Sequence, residues 1–149
     1  MESAWLVVLG YVQRWRIEQF HKIWKTGACR VEDTQLRECD RIEKWAMLKA
    51  AVAMRILRLG YLARTAPSTP ATVVFTMAEI KAALALARQP RTKPRGGIHT
   101  LAEIEQAIAC AGGYTGKSSG GPPGALVLAR GLSRIEPVAQ LVTDGVIEL

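Results

Sequence analysis

"AGGYTGKSSG", residues 111–120, decides how this chain is read. Residues 111–118 fit a relaxed phosphate-binding loop: a small residue, four free positions, then Gly-Lys-Ser. A true loop of this kind leaves a buried strand and runs straight into a helix, whose first amides help hold the phosphates. On that reading the protein is an α/β nucleotide-binding domain. On the other, the glycines join two helices. The flanks favour the second: "LAEIEQAIACAGG" (101–113) before the loop is an amphipathic helix, and "SGGPPG" (119–124) after it starts none. No run of parallel strands precedes it, as such a fold requires. The expectation is a helical connection and no nucleotide.

Outward from that stretch the chain reads as helical almost throughout, so the fold class is mainly α. Residues 4–25 hold no proline and one glycine. A second long helix is expected over 37–63, where Ile42, Trp45, Ala46, Val52, Ala53, Ile56 and Leu59 recur at helical spacing. "TAPSTPA" (65–71) ends it with two prolines. Thr76 with Glu79, and Thr100 with Glu103, announce two further helix starts as capping boxes. Gly112 and Gly113 terminate the helix that begins at Thr100. A last helix is expected from 124 to about 142, kinked or interrupted at Pro137. "VVF" (73–75) is the single candidate strand. Between the two capping boxes, "RQPRTKPRGG" carries Arg88, Arg91, Lys93 and Arg95 and no acid, as a solvated loop or as a contact with phosphate.

Composition narrows the class of function. The 149 residues are 49% hydrophobic and 22% charged, a globular balance, and the formal net charge of +7 favours an anionic partner. Cys29, Cys39 and Cys110 are odd in number and unpatterned, so neither a zinc site nor a disulfide framework is expected. The N-terminal residues "MESAWLVVLGYVQRWR" do not read as a secretory signal. The most apolar segment, residues 46–62, is broken by Lys49, Arg55 and Arg58. No membrane span and a cytoplasmic location follow as expectations.

"YVQRWRIEQFHKIWKTG" (11–27) holds the candidate chemistry. At 100° per residue Tyr11, Arg14, Glu18 and Lys25 fall within about 60° of one another and share one stripe, with His21 on its edge. Val8, Val12, Trp15, Phe20 and Ile23 point elsewhere and can bury the helix. Glu18 either pairs with a neighbouring cation on a solvated face, or holds a divalent metal while Arg, Lys and the phenol grip a DNA backbone. Trp15 and Trp45 sit more naturally as core residues, with some of the chain's indoles expected to be exposed in a lone fragment, and Cys29 reads as an ordinary buried or loop thiol.

Tyr-x2-Arg-x3-Glu-x6-Lys resembles the signature of the IS4 family of bacterial DDE transposases, Tn5-like enzymes among them. "QLRECDRIEKWAMLKAAVAMRILRL" (35–59) is similar to the helix that follows in that family, and residues 100–136 are similar to its C-terminal region. The resemblance implies an RNase H-like core in which two aspartates and a glutamate bind two magnesium ions. Water, and then a freed 3′ hydroxyl, attack phosphodiesters at the transposon ends. Glu18 matches the third acid, both catalytic and metal-binding; Tyr11, Arg14 and Lys25 match residues that hold the DNA strand. It further implies three segments: 1–27 as the Glu-bearing helix of the catalytic core, 28–69 as a long helix packing on that core, and 70–149 as a helical dimerisation region.

The chain departs from the family in its acids. Asp33, Asp40 and Asp144 all follow Glu18, whereas the family's aspartates precede it on strands. One helical carboxylate cannot clamp two metals. The expectation is therefore the helical C-terminal part of a truncated transposase, its sheet largely absent. Alone it would be catalytically silent and would not hold Mg2+ tightly. Its expected partners are DNA in the intact parent, and a second copy or a full-length transposase through the C-terminal helices. The alternative is a non-catalytic helical module that binds transposase or DNA.

Overall fold

The computed structural model describes residues 2–25, 27–87, 98–116 and 121–149. The basic stretch with Arg88, Arg91, Lys93 and Arg95 lies outside the described residues, as do Lys117 and Ser118. The protein is mainly α. Among the described residues five α-helices run over Glu2–Lys25 (α1), Cys39–Thr65 (α2), Met77–Leu86 (α3), Leu101–Ala111 (α4) and Ala125–Thr143 (α5), with 3-10 turns at Val31–Asp33 and Ala71–Val73. Among the described residues there is no strand, only an isolated antiparallel bridge between Pro70 and Thr100. No described helix is long and apolar enough to cross a membrane. The chain divides into two compact units, residues 1–57 and 58–149, the division falling inside α2.

In the unit 58–149 both capping boxes form. The Thr76 N–H donates to Glu79 Oε2 at 2.8 Å while the Glu79 N–H donates to Thr76 Oγ1 at 3.2 Å. Thr100 and Glu103 repeat the exchange at 3.0 and 3.3 Å. Each box satisfies two amides that a helix start otherwise leaves unpaired. The start of α4 receives more: the Leu101 N–H donates to the Thr69 carbonyl at 2.7 Å and the Ala102 N–H to Pro67 at 3.2 Å. The Pro-rich turn thus does more than end α2; it supplies acceptors to the first turn of α4.

Residues 73–75 form no strand. Val73 donates to the Pro70 carbonyl, and Val74 and Phe75 both donate to Ala71, at 2.9–3.1 Å. Amides spent inside a tight turn cannot pair across a ladder, and Phe75, 5% exposed, pins the turn to the core. Nor does Pro137 interrupt α5, which runs through it from Ala125 to Thr143. A mid-helix proline removes one backbone bond. Burial of Leu128, Leu132, Ile135 and Ala139, on both sides of Pro137, offsets that loss.

The core of this unit is made of Leu101, Ile104 and Ile108 of α4, Leu128, Leu132 and Ile135 of α5, and Ile80 of α3, with alanines between them. Glycine sets how closely two of the helices meet. A Cβ on Gly131 would run into the Ile108 carbonyl, and one on Gly112 into the Val127 carbonyl. The α4 and α5 backbones therefore touch directly. Gly112 and Gly113 divide their labour: Gly113 takes the left-handed φ of 96° that turns the chain away from α4, while Gly112 makes the close approach.

In the unit 1–57, α1 is buried far less than its pattern suggests. Ile23 is 6% exposed, and Phe20 and Trp24 are half-buried and stacked at 5.8 Å between ring centres. Val8 and Trp15 are exposed, Trp15 at 63%, so the expectation of a core Trp15 fails. The physical reason is that no described residue covers this part of α1: Trp5, Leu6, Val7, Val8 and Tyr11 are exposed as well. On α2, Ala53 and Ile56 are buried as the stripe predicts, whereas Ile42 and Val52 at its edges are exposed.

Candidate functional site

On α1, Tyr11, Arg14 and Glu18 form one continuous exposed line. Arg14 Nη2 lies 3.3 Å from Glu18 Oε1, a pair one helical turn apart. The same guanidinium sits 5.1 Å from the centre of the Tyr11 ring. Lys25 lies on the stripe but is drawn off it, its Nζ 3.4 Å from Glu32 Oε1 in the 3-10 turn that follows α1. His21 stays exposed, packed edge-on to Phe20. The structure thus brings together three of the four expected residues and gives the fourth a different partner.

Among the described residues no group of three or more His, Cys, Asp or Glu is gathered to hold a metal ion. Glu18, its Oε1 facing the Arg14 guanidinium and belonging to no such group, does not fit a two-magnesium centre.

Around the C-terminal end of α1, side chains face α2 residues of the same unit. Trp24 Nε1 donates to the Ala46 carbonyl at 3.1 Å. Lys49 Nζ stands 4.3 Å over the Trp45 ring, whose buried Nε1 has no partner among the described residues. Cys29 is buried and donates its thiol proton to the Lys49 carbonyl at 3.3 Å. Burial pushes that thiol's pKa up, with the Lys49 charge opposing, which keeps it protonated and unreactive.

The 111–120 stretch is resolved by its flanks. It is fed by the C-terminal end of α4 rather than by a strand, and the 121–124 segment ahead of α5 is not helical. The Tyr114 hydroxyl donates to the Gly121 carbonyl. Arg134 of α5 caps α4 by donating to the Ala111 carbonyl, a cation at the negative end of the helix. Leu86, Cys110, Tyr114 and Arg134 border a half-open groove of about 710 Å3 there.

The other face of α5 is the feature that sequence reading missed. Leu126, Arg130, Ser133, Pro137 and Leu141 recur at steps of four, three, four and four, and all are exposed, Leu126 at 53% and Leu141 at 41%. At 100° per residue they share one outer stripe, opposite the buried one. A helical wheel of 125–143 separates the two stripes; attention to Pro137 as a breaker obscured it.

Glu105 of α4 is the one buried carboxylate among the described residues, at 8% exposure. Burial raises its carboxyl pKa, and the charge of Arg64 on α2 only partly opposes this. An acid whose folded pKa is raised supports the fold while protonated. That contribution is complete below the ordinary value of 4.5 and is lost as pH rises through the raised folded value. Glu105→Gln is therefore expected to raise the melting temperature at pH 7 and to leave it unchanged well below pH 4.5. Melting curves across that pH range check it; equal melting temperatures at pH 7 would contradict it.

Residues 51–144 match the family model described as the Transposase Tn5 dimerisation domain. The match takes in α3, α4 and α5 whole and ends at Asp144, the C-cap of α5. The Glu18 helix lies outside it.

Proposed function

The chain belongs to the Transposase Tn5 dimerisation family, and from that premise we propose that it serves the self-association of a cut-and-paste DNA transposase through the outer stripe of α5. The observation that carries this reading is the pairing of faces on that helix. Leu128, Leu132 and Ile135 lie in the core, while Leu126 and Leu141, inside the matched segment, are left in water. Exposed leucines spaced along one stripe of an otherwise satisfied helix suit a partner helix of the same kind. Packed antiparallel on a second copy, the stripe sets Leu126 near Leu141 of the partner subunit, with Arg130, Ser133 and Pro137 between.

The Tyr11–Arg14–Glu18 line and Lys25 belong, on this reading, to the DNA-facing side of the transposase, in the bacterial cytoplasm. Glu18 would serve as the third acid of a magnesium-dependent centre only beside two aspartates that this sequence does not supply ahead of it, and Tyr11, Arg14 and Lys25 contact the strand near the scissile phosphate. The formal net charge of +7 supports an association with DNA.

The test is co-purification of two differently tagged copies of the full chain. The two copies are expected to come down together, and the double variant Leu126→Glu/Leu141→Glu to abolish this, because it replaces both leucine contacts by facing carboxylates. Undiminished recovery of the double variant would remove α5 from the interface. A second reading uses the same surface: the chain pairs with an intact relative and forms mixed, inactive dimers. Transposition should then fall on co-expression with the wild-type chain and recover with the double variant; an unchanged frequency would sink it.

A further inference from the structure

We propose that Glu32 is an electrostatic brake on DNA binding: it occupies the Lys25 ammonium that a phosphate of the duplex would otherwise take. The inference rests on the reading of Lys25 as a DNA contact. Its own support is the turn that presents Glu32, which is fastened at several points. The Gly27 N–H donates to the Lys22 carbonyl at 2.8 Å and the Cys29 N–H to Ile23 at 3.0 Å, folding the chain back over the last turn of α1. A Cβ at Gly27 would stand 2.8 Å from the Lys22 carbonyl, closer than side-chain carbons come, so the reversal needs glycine. Cys29, 3% exposed, ties the turn to α2 through the Lys49 carbonyl. Arg30 then takes a left-handed conformation, φ 47° and ψ 49°, and pairs with Asp33 across the 3-10 turn.

These contacts deliver the Glu32 carboxylate to Lys25 from an anchored turn, rather than leaving two long side chains to meet by chance. Both members remain about half exposed, 48% for Lys25 and 56% for Glu32, so DNA can reach the pair. A pair this open adds little to folding stability, which leaves its charge as the property to explain. A phosphate bound at Lys25 would lie about 6 Å from the Glu32 carboxylate, and that repulsion in water weakens binding about threefold. Lys25 also neutralises a phosphate less completely while Glu32 holds it, so fewer counterions are released. Arg14 stands in the same relation to Glu18, but there both partners belong to one helix and to the candidate catalytic line.

The experiment measures binding of the full chain to a short fluorescein-labelled DNA duplex by anisotropy across a salt series. The proteins are wild type, Lys25→Ala, Glu32→Gln and the double variant. Glu32→Gln is expected to bind about threefold tighter and to steepen the slope of log affinity against log salt, by up to about 0.9. Lys25→Ala is expected to bind more weakly than wild type, and Glu32→Gln to change nothing in its background. If Lys25→Ala weakens binding while Glu32→Gln matches wild type, the brake is overturned and the Lys25 reading stands. If the Glu32→Gln gain persists without Lys25, it is a general charge effect and the brake is again overturned. If Lys25→Ala binds as wild type, the DNA reading of Lys25 falls and takes the brake with it.

Discussion

Replacing Gly131 with alanine is expected to cost the 58–149 unit about 3 kcal/mol or more, at the upper end of the range for overpacking. The new methyl would run into the Ile108 carbonyl, with the Ile108 side chain beside it, and main chain cannot swing aside as a flexible side chain can. Either α5 lifts away from α4, uncovering Leu128, Leu132 and Ile135, or the α4 backbone bends. For a unit of this size 1 kcal/mol moves the melting temperature by about 4–8 °C, so a fall beyond about 12 °C is expected by circular dichroism. Gly10→Ala is the control. It sits in α1 with nothing within 4 Å of its would-be Cβ, and should be neutral or slightly stabilising. A Gly131→Ala melting curve within a few degrees of wild type would mean the two backbones do not touch.

Ile104→Ala follows in size, with an expected loss of about 2–5 kcal/mol from lost burial and the cavity left behind. Ile104 is 0% exposed, on the buried face of α4 between Leu101 and Ile108. Trp15→Ala removes a far larger side chain and should cost this chain no more than about 0.5 kcal/mol, because Trp15 is 63% exposed. The inversion of the usual order, a small aliphatic outweighing a tryptophan, is a direct readout of where the core lies. Chemical denaturation of the two variants decides it: a Trp15→Ala loss equal to that of Ile104→Ala would place a covered layer over α1.

The elements of the 58–149 unit were legible in the sequence because their signals are local. A capping box is four residues long, and both boxes form where Thr76 and Thr100 announce them. The helical reading of the 111–120 flanks rests on residues within one helix of the loop, and it too holds. What escaped the sequence depends on distant chain. The closeness of Gly112 to Val127 and of Gly131 to Ile108 is set by helix crossing, which periodicity does not encode. Val73 and Phe75 have strand-forming side chains, yet the local hydrogen bonds of the Pro70 turn take their amides. Pro137 carries a local breaking signal, while the burial on both sides of it that accompanies a continuous α5 comes from packing.

The candidate DNA-facing residues divide in the same way. Successive helical turns relate Tyr11, Arg14 and Glu18, so a wheel places them together and the structure keeps them so. Lys25 shares their direction, but Glu32, seven residues on around a tight turn, captures its ammonium. Nothing in the spacing of the four residues carries that pairing. The exposed α5 stripe was available to a wheel drawn over 125–143, because Leu126 and Leu141 recur in phase.

The central claim, that residues 58–149 carry self-association through α5, is tested most directly by sedimentation equilibrium of the purified full chain. The account predicts a concentration-dependent mass approaching twice the 16.3 kDa of one chain, and a return to the single-chain mass in Leu126→Glu/Leu141→Glu with the helical content unchanged. A single-chain mass at every concentration, or a dimer indifferent to both substitutions, would contradict it.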